Sequence, residues 1–226
     1  MCTYKEFVIK SMSSQKVYSH LVLIKKTVAF SGLKNMKTPT LENHRAKLSL
    51  LDLSNYQHLA TISQQPHLIY YSPSKIDTPE TLKNYVELAV DDYHRKTAIP
   101  FIVFDKITNT YAGTSRLGLI NWHNKVLHIG WTWLGTQFHG SGLNTHIKYL
   151  MLQYVFETLD FDKVEFRIDD RNLKSRKAVE KLGATLEGVL RNDTLMLDGY
   201  KRSTCCYGIL KEEWYATIKS ALQHRL

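Results

Sequence analysis

Residues 128–143, HIGWTWLGTQFHGSGL, hold the stretch of this chain best suited to chemistry. Gly140 and Gly142 flank Ser141, a helical run opens at Leu143, and no acidic side chain interrupts the turn. Glycine lets backbone approach an anion closely, and the first N–H groups of a helix carry partial positive charge. The spacing therefore suits a phosphate or pyrophosphate. Taken alone, Gly-x-Gly is more often a tight strand–helix turn. No Gly-Lys-Ser/Thr ends it, so it is not a P-loop. The third glycine and the preceding parallel strand of a dinucleotide fingerprint are also missing.

A second constellation runs from Asp169 to Arg191, DDRNLKSRKAVEKLGATLEGVLR. Asn172 ends a strand, Ser175 falls in the first turn of the next helix, and Lys174, Arg176, Lys177 and Lys181 make that helix basic. By itself this reads as a capped amphipathic helix with a solvated face. Elsewhere no metal-ligand cluster and no nucleophile–base pair stands at a diagnostic spacing.

The elements that must position these residues follow from periodicity. Strands are expected over 46–51, 101–104, 112–120, 126–134, 163–168, 185–192 and 203–210. Helices are expected over 53–63, from Thr78-Pro79 to about Arg95, over 143–159 and over 173–182. Gly183 falls where a left-handed cap is expected. This order describes a mixed sheet with helices packed on it, a single α/β domain. Residues 1–35 differ from the rest: they are lysine-rich with brief apolar runs, and they read as an appendage outside a fold spanning 36–226.

Thirty Lys and Arg against 21 Asp and Glu leave a net charge of +9, which draws anions in general. No basic segment with interleaved aromatics supports a specific nucleic-acid binder. Three cysteines, two of them adjacent, suggest neither a disulfide framework nor zinc, and point to a reduced, cytoplasmic setting. Leu21 to Ile24 is far too short to span a membrane.

Taken together, the motifs GWTWL, GSGLN, N-x-x-S-R-x-x-x-x-x-L-G-A with EGVLR, and DGYKRST with a following EEW resemble the GNAT (GCN5-related) N-acetyltransferase superfamily. Within it, the chain looks like the branch of the ribosomal-protein N-terminal acetyltransferases (RimJ/RimL-like). The resemblance covers about Leu41 to Leu222. It implies a mostly antiparallel mixed sheet whose central strands splay to admit acetyl-CoA, with no metal. Backbone N–H groups near Trp133 and Leu134 would take the pantetheine and acetyl carbonyl. The turn His139, Gly140, Ser141, Gly142, Leu143, Asn144 would hold the pyrophosphate. The family pattern there, Arg/Gln-x-x-Gly-x-Gly/Ala, aligns on His139, Gly142 and Asn144, or two residues back on Gln137, Gly140 and Gly142. Asn172 would bond the pantetheine arm. Many members carry an acidic tyrosine seven residues later, where this chain has Val179; Ser175, as in the ribosomal branch, would support the departing thiolate.

The reaction also needs a neutral amine. His128 has the ordinary pKa for a base, with Glu165 and Asp193 as rivals. Trp131 and Trp133 lie on one strand face, toward substrate or core, and Trp122 could line the acceptor groove. Trp214 is expected to pack a terminal helix. The expected activity is direct acetyl transfer, through a ternary complex, to a primary amine such as a protein N-terminus or a small amine. No cysteine falls in the expected cleft segments, which disfavours a covalent route. A non-catalytic acyl-CoA binding or sensing module is the alternative. The oligomeric state stays open, a homodimer included.

Overall fold

The computed structural model describes residues 38–226, so the expected appendage at 1–35 lies outside the described residues. One sheet is formed by β1 (Leu41–Glu42), β2 (Ala46–Leu50), β3 (Ile99–Asp105), β4 (Thr110–Asn121), β5 (Val126–Leu134), β6 (Lys163–Asp169), β7 (Thr185–Leu195) and β8 (Lys201–Leu210). Their order is β1-β2-β3-β4-β5-β6-β8-β7. All neighbours are antiparallel except β5 and β6. A parallel strand therefore does flank the glycine turn, and of the two arguments against a dinucleotide fingerprint only the missing third glycine stands.

Helices cover both faces of the sheet. On one side lie a 3-10 turn (Tyr56–Leu59), α1 (Ala60–Ser63) and α2 (Pro79–His94). Here Leu59, Ile62, Leu82, Tyr85 and Val86 pack on Ile102 and Trp133. On the other side lie α3 (Leu143–Gln153), α4 (Leu173–Leu182) and a C-terminal helix. Leu143, Ile147, Met151, Leu182 and Trp214 bury Leu117, Leu127, Ile129 and Leu134 there. Trp214 is fully buried, stacks on Phe156 and donates to Glu157 at 3.0 Å, the terminal-helix role expected of it.

Helix α2 begins as the sequence predicts. Thr78 and Thr81 form a reciprocal cap, and Pro79 takes the first helical position, where its missing N–H costs nothing. The expected helix over 53–63 starts three residues late, as the 3-10 turn at Tyr56 that runs on into α1. Asp52 accepts from Ser54 N–H at 2.8 Å, while Asn55 bonds the backbone of Asp52 and Leu50. These local side-chain bonds compete with helix and delay it to Tyr56. Among the described residues no helix is long and apolar enough to cross a membrane.

Candidate active site

The parallel pair β5–β6 is short. Val126, Leu127 and His128 pair with Lys163, Val164 and Glu165, and no residue further along either strand pairs with the other. Beyond that point β5 stays with β4 up to Leu134, and β6 stays with β8 up to Asp169. The two halves of the sheet therefore diverge into an opening. Gly135 N–H donates to Ala112 O at 2.9 Å, across β4. By strand alternation the N–H of Leu134 faces away from β4, into the opening, while that of Trp133 faces β4.

A bulge decides which side chains meet. Along β4, Thr114 to Arg116 spans two steps, whereas their β5 partners Trp133 and Gly130 are three apart. The extra residue sits at Trp131, whose φ is +48°. It inverts the alternation: Leu127 and Ile129 face α3 before it, Leu134 after it. His128, Trp131 and Trp133 thus share the α2 face, with the His128 and Trp131 rings 5.3 Å apart.

At the far end of β5 comes the glycine turn. Gly140 (φ +73°) and Gly142 (φ +87°) are both left-handed, and α3 starts at Leu143 with no side-chain cap. A Cβ on Gly140 would project into open space, so this surface is bare backbone. Ser141 Oγ accepts from Leu143 N–H at 3.3 Å and donates to Phe138 O. His139 Nε2 lies 3.1 Å from Leu134 O, tying the turn to the strand end rather than reaching out. Gln137 bonds Gln65. Asn144 Oδ1 is buried without a partner. The cation of the turn comes from elsewhere: Arg45 Nη1 donates to Ser141 O, and its Nε to the fully buried Asp105 at 3.3 Å.

Across the opening, β6 runs into α4. Asn172 Oδ1 accepts from Ser175 N–H at 3.0 Å, capping the helix, and the amide N–H groups of Asn172 make no hydrogen bond among the described residues. Ser175 lies in the first turn of α4, and its Oγ makes no hydrogen bond among the described residues. An opening that narrows to three residue pairs, with an inward N–H on one wall, an amide and hydroxyl on the other and a bare glycine turn at its end, fits a phosphate-bearing thioester lying between the strands.

A model of the acetyltransferase (GNAT) domain matches residues 45–185. The chain belongs to the GNAT acetyltransferase family. It is an N-acetyltransferase, with acetyl-CoA as its acyl donor. Bacillus subtilis (strain 168) YdaF, provisionally named a ribosomal N-acetyltransferase, is 29% identical over 147 residues, 61% of this chain and 75% of YdaF. A provisionally assigned acetyltransferase structure from T. thermophilus is 29% identical, covers 85% of this chain and all of its own, and has a TM-score of 0.75. A GCN5-related N-acetyltransferase from Brucella melitensis shares the fold at 24% identity and TM-score 0.77, covering 84% of this chain and 86% of its own.

Within this GNAT site the candidate bases differ. His128 is buried, and burial, then Arg167 and Lys148, push its imidazole down to about 3; the near-neutral basicity expected of it is absent. Its Nδ1 has no partner. Glu165 is engaged by Lys163 and Arg167 at 3.3 and 3.4 Å. Asp193 lies on the edge strand β7, two strands beyond β6, bonded to Thr194. Trp122 is at the opposite end of β5, donating to Lys96 O and packed on Phe161, so it lines no acceptor groove. Cys205 is buried, and burial pushes the Cys206 thiol up.

The sequence reading did not single out Lys148. It is buried on α3 beneath the bulge, 2.6 Å from Thr132 Oγ1 and 3.1 Å from Ser115 Oγ, with burial alone lowering it to about 7. A lysine inside the apolar run IKYLMLQYV was the available signal. On the α2 side, Arg202 Nη1 donates to Tyr71 O at 2.9 Å and Arg171 lies 3.8 Å over the Tyr200 ring. The Arg202–Tyr71 bond fastens the loop before α2 to β8.

Proposed function

We propose that the chain acetylates a primary amine, on a protein N-terminus or a small molecule, by direct attack in a ternary complex. The splay of β5 from β6 carries this reading: it gives the thioester a slot through the sheet and leaves the α2 face for the amine. Leu134 N–H would support the charge that develops on the acetyl oxygen. The turn from His139 to Asn144 would hold the pyrophosphate by backbone, with Gly140, Gly142 and Leu143 nearest and Ser141 bracing it. Asn172 would bond the pantetheine arm, and Ser175 would support the departing thiolate. His128 would accept a hydrogen bond from the entering amine and aim its lone pair. An imidazole held near 3 does not keep the proton, which would pass on to water.

The test is release of free CoA thiol over peptides, amino acids, polyamines and aminoglycosides. Ser175→Ala should lower kcat by about 100-fold or more, the range of general-acid assistance starting near that value, with little change in KM for acetyl-CoA. Unchanged kcat in that variant removes Ser175 from the mechanism. Binding of CoA without thiol release over the whole panel overturns transfer itself.

A further inference from the structure

On the α2 face, two strand steps from Thr114 along β4, Arg116 is almost wholly buried. Its guanidinium lies between two aromatic rings, 5.1 Å from the centre of Tyr85 and 4.9 Å from that of Trp131. Its nearest carboxylate oxygen is Asp92 Oδ2, at 3.8 Å, and the other oxygen of Asp92 accepts from Arg95. That distance is longer than a charged hydrogen bond, so the fork is not filled. Beside it Tyr85 Oη, which Trp133 and Arg116 both approach, and Trp133 Nε1 are buried without a hydrogen bond of normal length, and so is Nδ1 of His128, which packs on Trp131.

Arg116, Tyr85 and Trp133 share one chemistry. An indole N–H and a guanidinium can only donate, and a tyrosine hydroxyl can donate. Unpaired buried donors are costly, and a cluster of them next to a desolvated cation calls for an oxygen-bearing anion. A protonated amine is repelled by Arg116, so the cation does not receive the amine itself.

Resting on the transfer reading above, we propose that Arg116, Tyr85 and Trp133 form an acceptor subsite for a carboxylate carried close to the primary amine. The aromatic rings on either side hold the guanidinium plane, which suits a forked bond to the carboxylate. Leu134 pairs with Gly113, three residues from Arg116, or about 10 Å of strand at roughly 3.3 Å per residue. A free amino acid separates its amine from its carboxylate by one carbon, and an acidic first residue by two or three, so the Arg116 side chain has to cover most of that length.

The experiment compares matched acceptors by CoA thiol release. Free amino acids are set against their C-terminal amides, and peptides beginning with Asp or Glu against those beginning with Asn or Gln. The carboxylated member should win by roughly 10- to 100-fold in kcat/KM, the range of charge-assisted hydrogen bonds. Preference in the first pair identifies a free amino acid, in the second an acidic N-terminus. Arg116→Gln should erase the preference while leaving KM for acetyl-CoA unchanged. Tyr85→Phe, which keeps the packing, should reduce it several-fold. Equal use of both members by the unaltered protein overturns the proposal, as does a preference that survives Arg116→Gln. No thiol release with any acceptor refutes transfer itself, a failure plainly different from turnover without preference.

Discussion

Asn172 illustrates how one side chain can serve structure and ligand together. Its carbonyl oxygen caps α4, while in the proposed site its amide N–H groups would bond the pantetheine arm. Asn172→Ala removes both and should cost about 1 kcal/mol of stability from the lost cap as well as affinity. Asn172→Asp keeps the capping oxygen and deletes the two donors. It should hold Tm while raising KM for acetyl-CoA several-fold, and an unchanged KM would place the pantetheine elsewhere. Lys148 makes a prediction of opposite sign. Its folded pKa lies near 7, against 10.5 when free, so folding is penalised fully below pH 7, less between 7 and 10.5, and not at all above. Lys148→Met should therefore stabilise most at pH 6, with the gain shrinking by pH 9; the lost lysine leaves Ser115 and Thr132 bonded to each other at 2.7 Å. Urea unfolding at the two pH values tests this, and a gain independent of pH would mean that the charge is not what burial penalises. The burial of Lys148 was legible only in the apolar run around it, and that of His128 was not legible in the sequence. Alternation assigns a residue to a face, but desolvation depends on what the opposite layer places over it.

At the level of elements, the catalytic halves were legible and their joints were not. The ranges of β5 and α4 follow from periodicity, and Gly183 caps α4 with φ +101° as expected. The bulge at Trp131 leaves no mark in composition, yet it alone brings His128 onto the face of the two tryptophans. The glycine turn shows the same limit. Its letters match the family pattern imperfectly, because the cation beside it arrives from Arg45, 96 residues away in sequence. Arg45→Ala should raise KM for acetyl-CoA about 10-fold, the worth of one charge-assisted bond. It should leave KM for S-acetylpantetheine, which lacks the phosphates, unchanged. Equal effects on the two donors would mean that Arg45 only braces the turn. Gly142→Val should weaken both donors, since a branched residue cannot hold φ +87° and the turn must rearrange.

Across the whole molecule the sheet consists of two partly independent pieces. Strands β1 to β5 form one and β6 to β8 the other, and three residue pairs of β5 and β6 join them in the sheet. The remaining connections run through helices, with α3 in the core shared by both, and through the bond from Arg202 on β8 to Tyr71 in the loop before α2. A thioester in the opening would touch Leu134 on the first piece and Asn172 on the second, closing the sheet where its own hydrogen bonds stop. At 100 times Kd, binding of this kind stabilises by about 2.7 kcal/mol. For a chain of this size, that is a rise in Tm of roughly 5–10 °C. A ligand bound to one piece alone would raise Tm as well, so the decisive measurement is hydrogen exchange. With acetyl-CoA bound, the amides of Trp131 to Gly135 and those of Phe166 to Ser175 should slow together, while those of β1 and β2 change little. Protection confined to one of the two stretches would show that acetyl-CoA does not bridge the strands, and the slot reading of the site would fall with it.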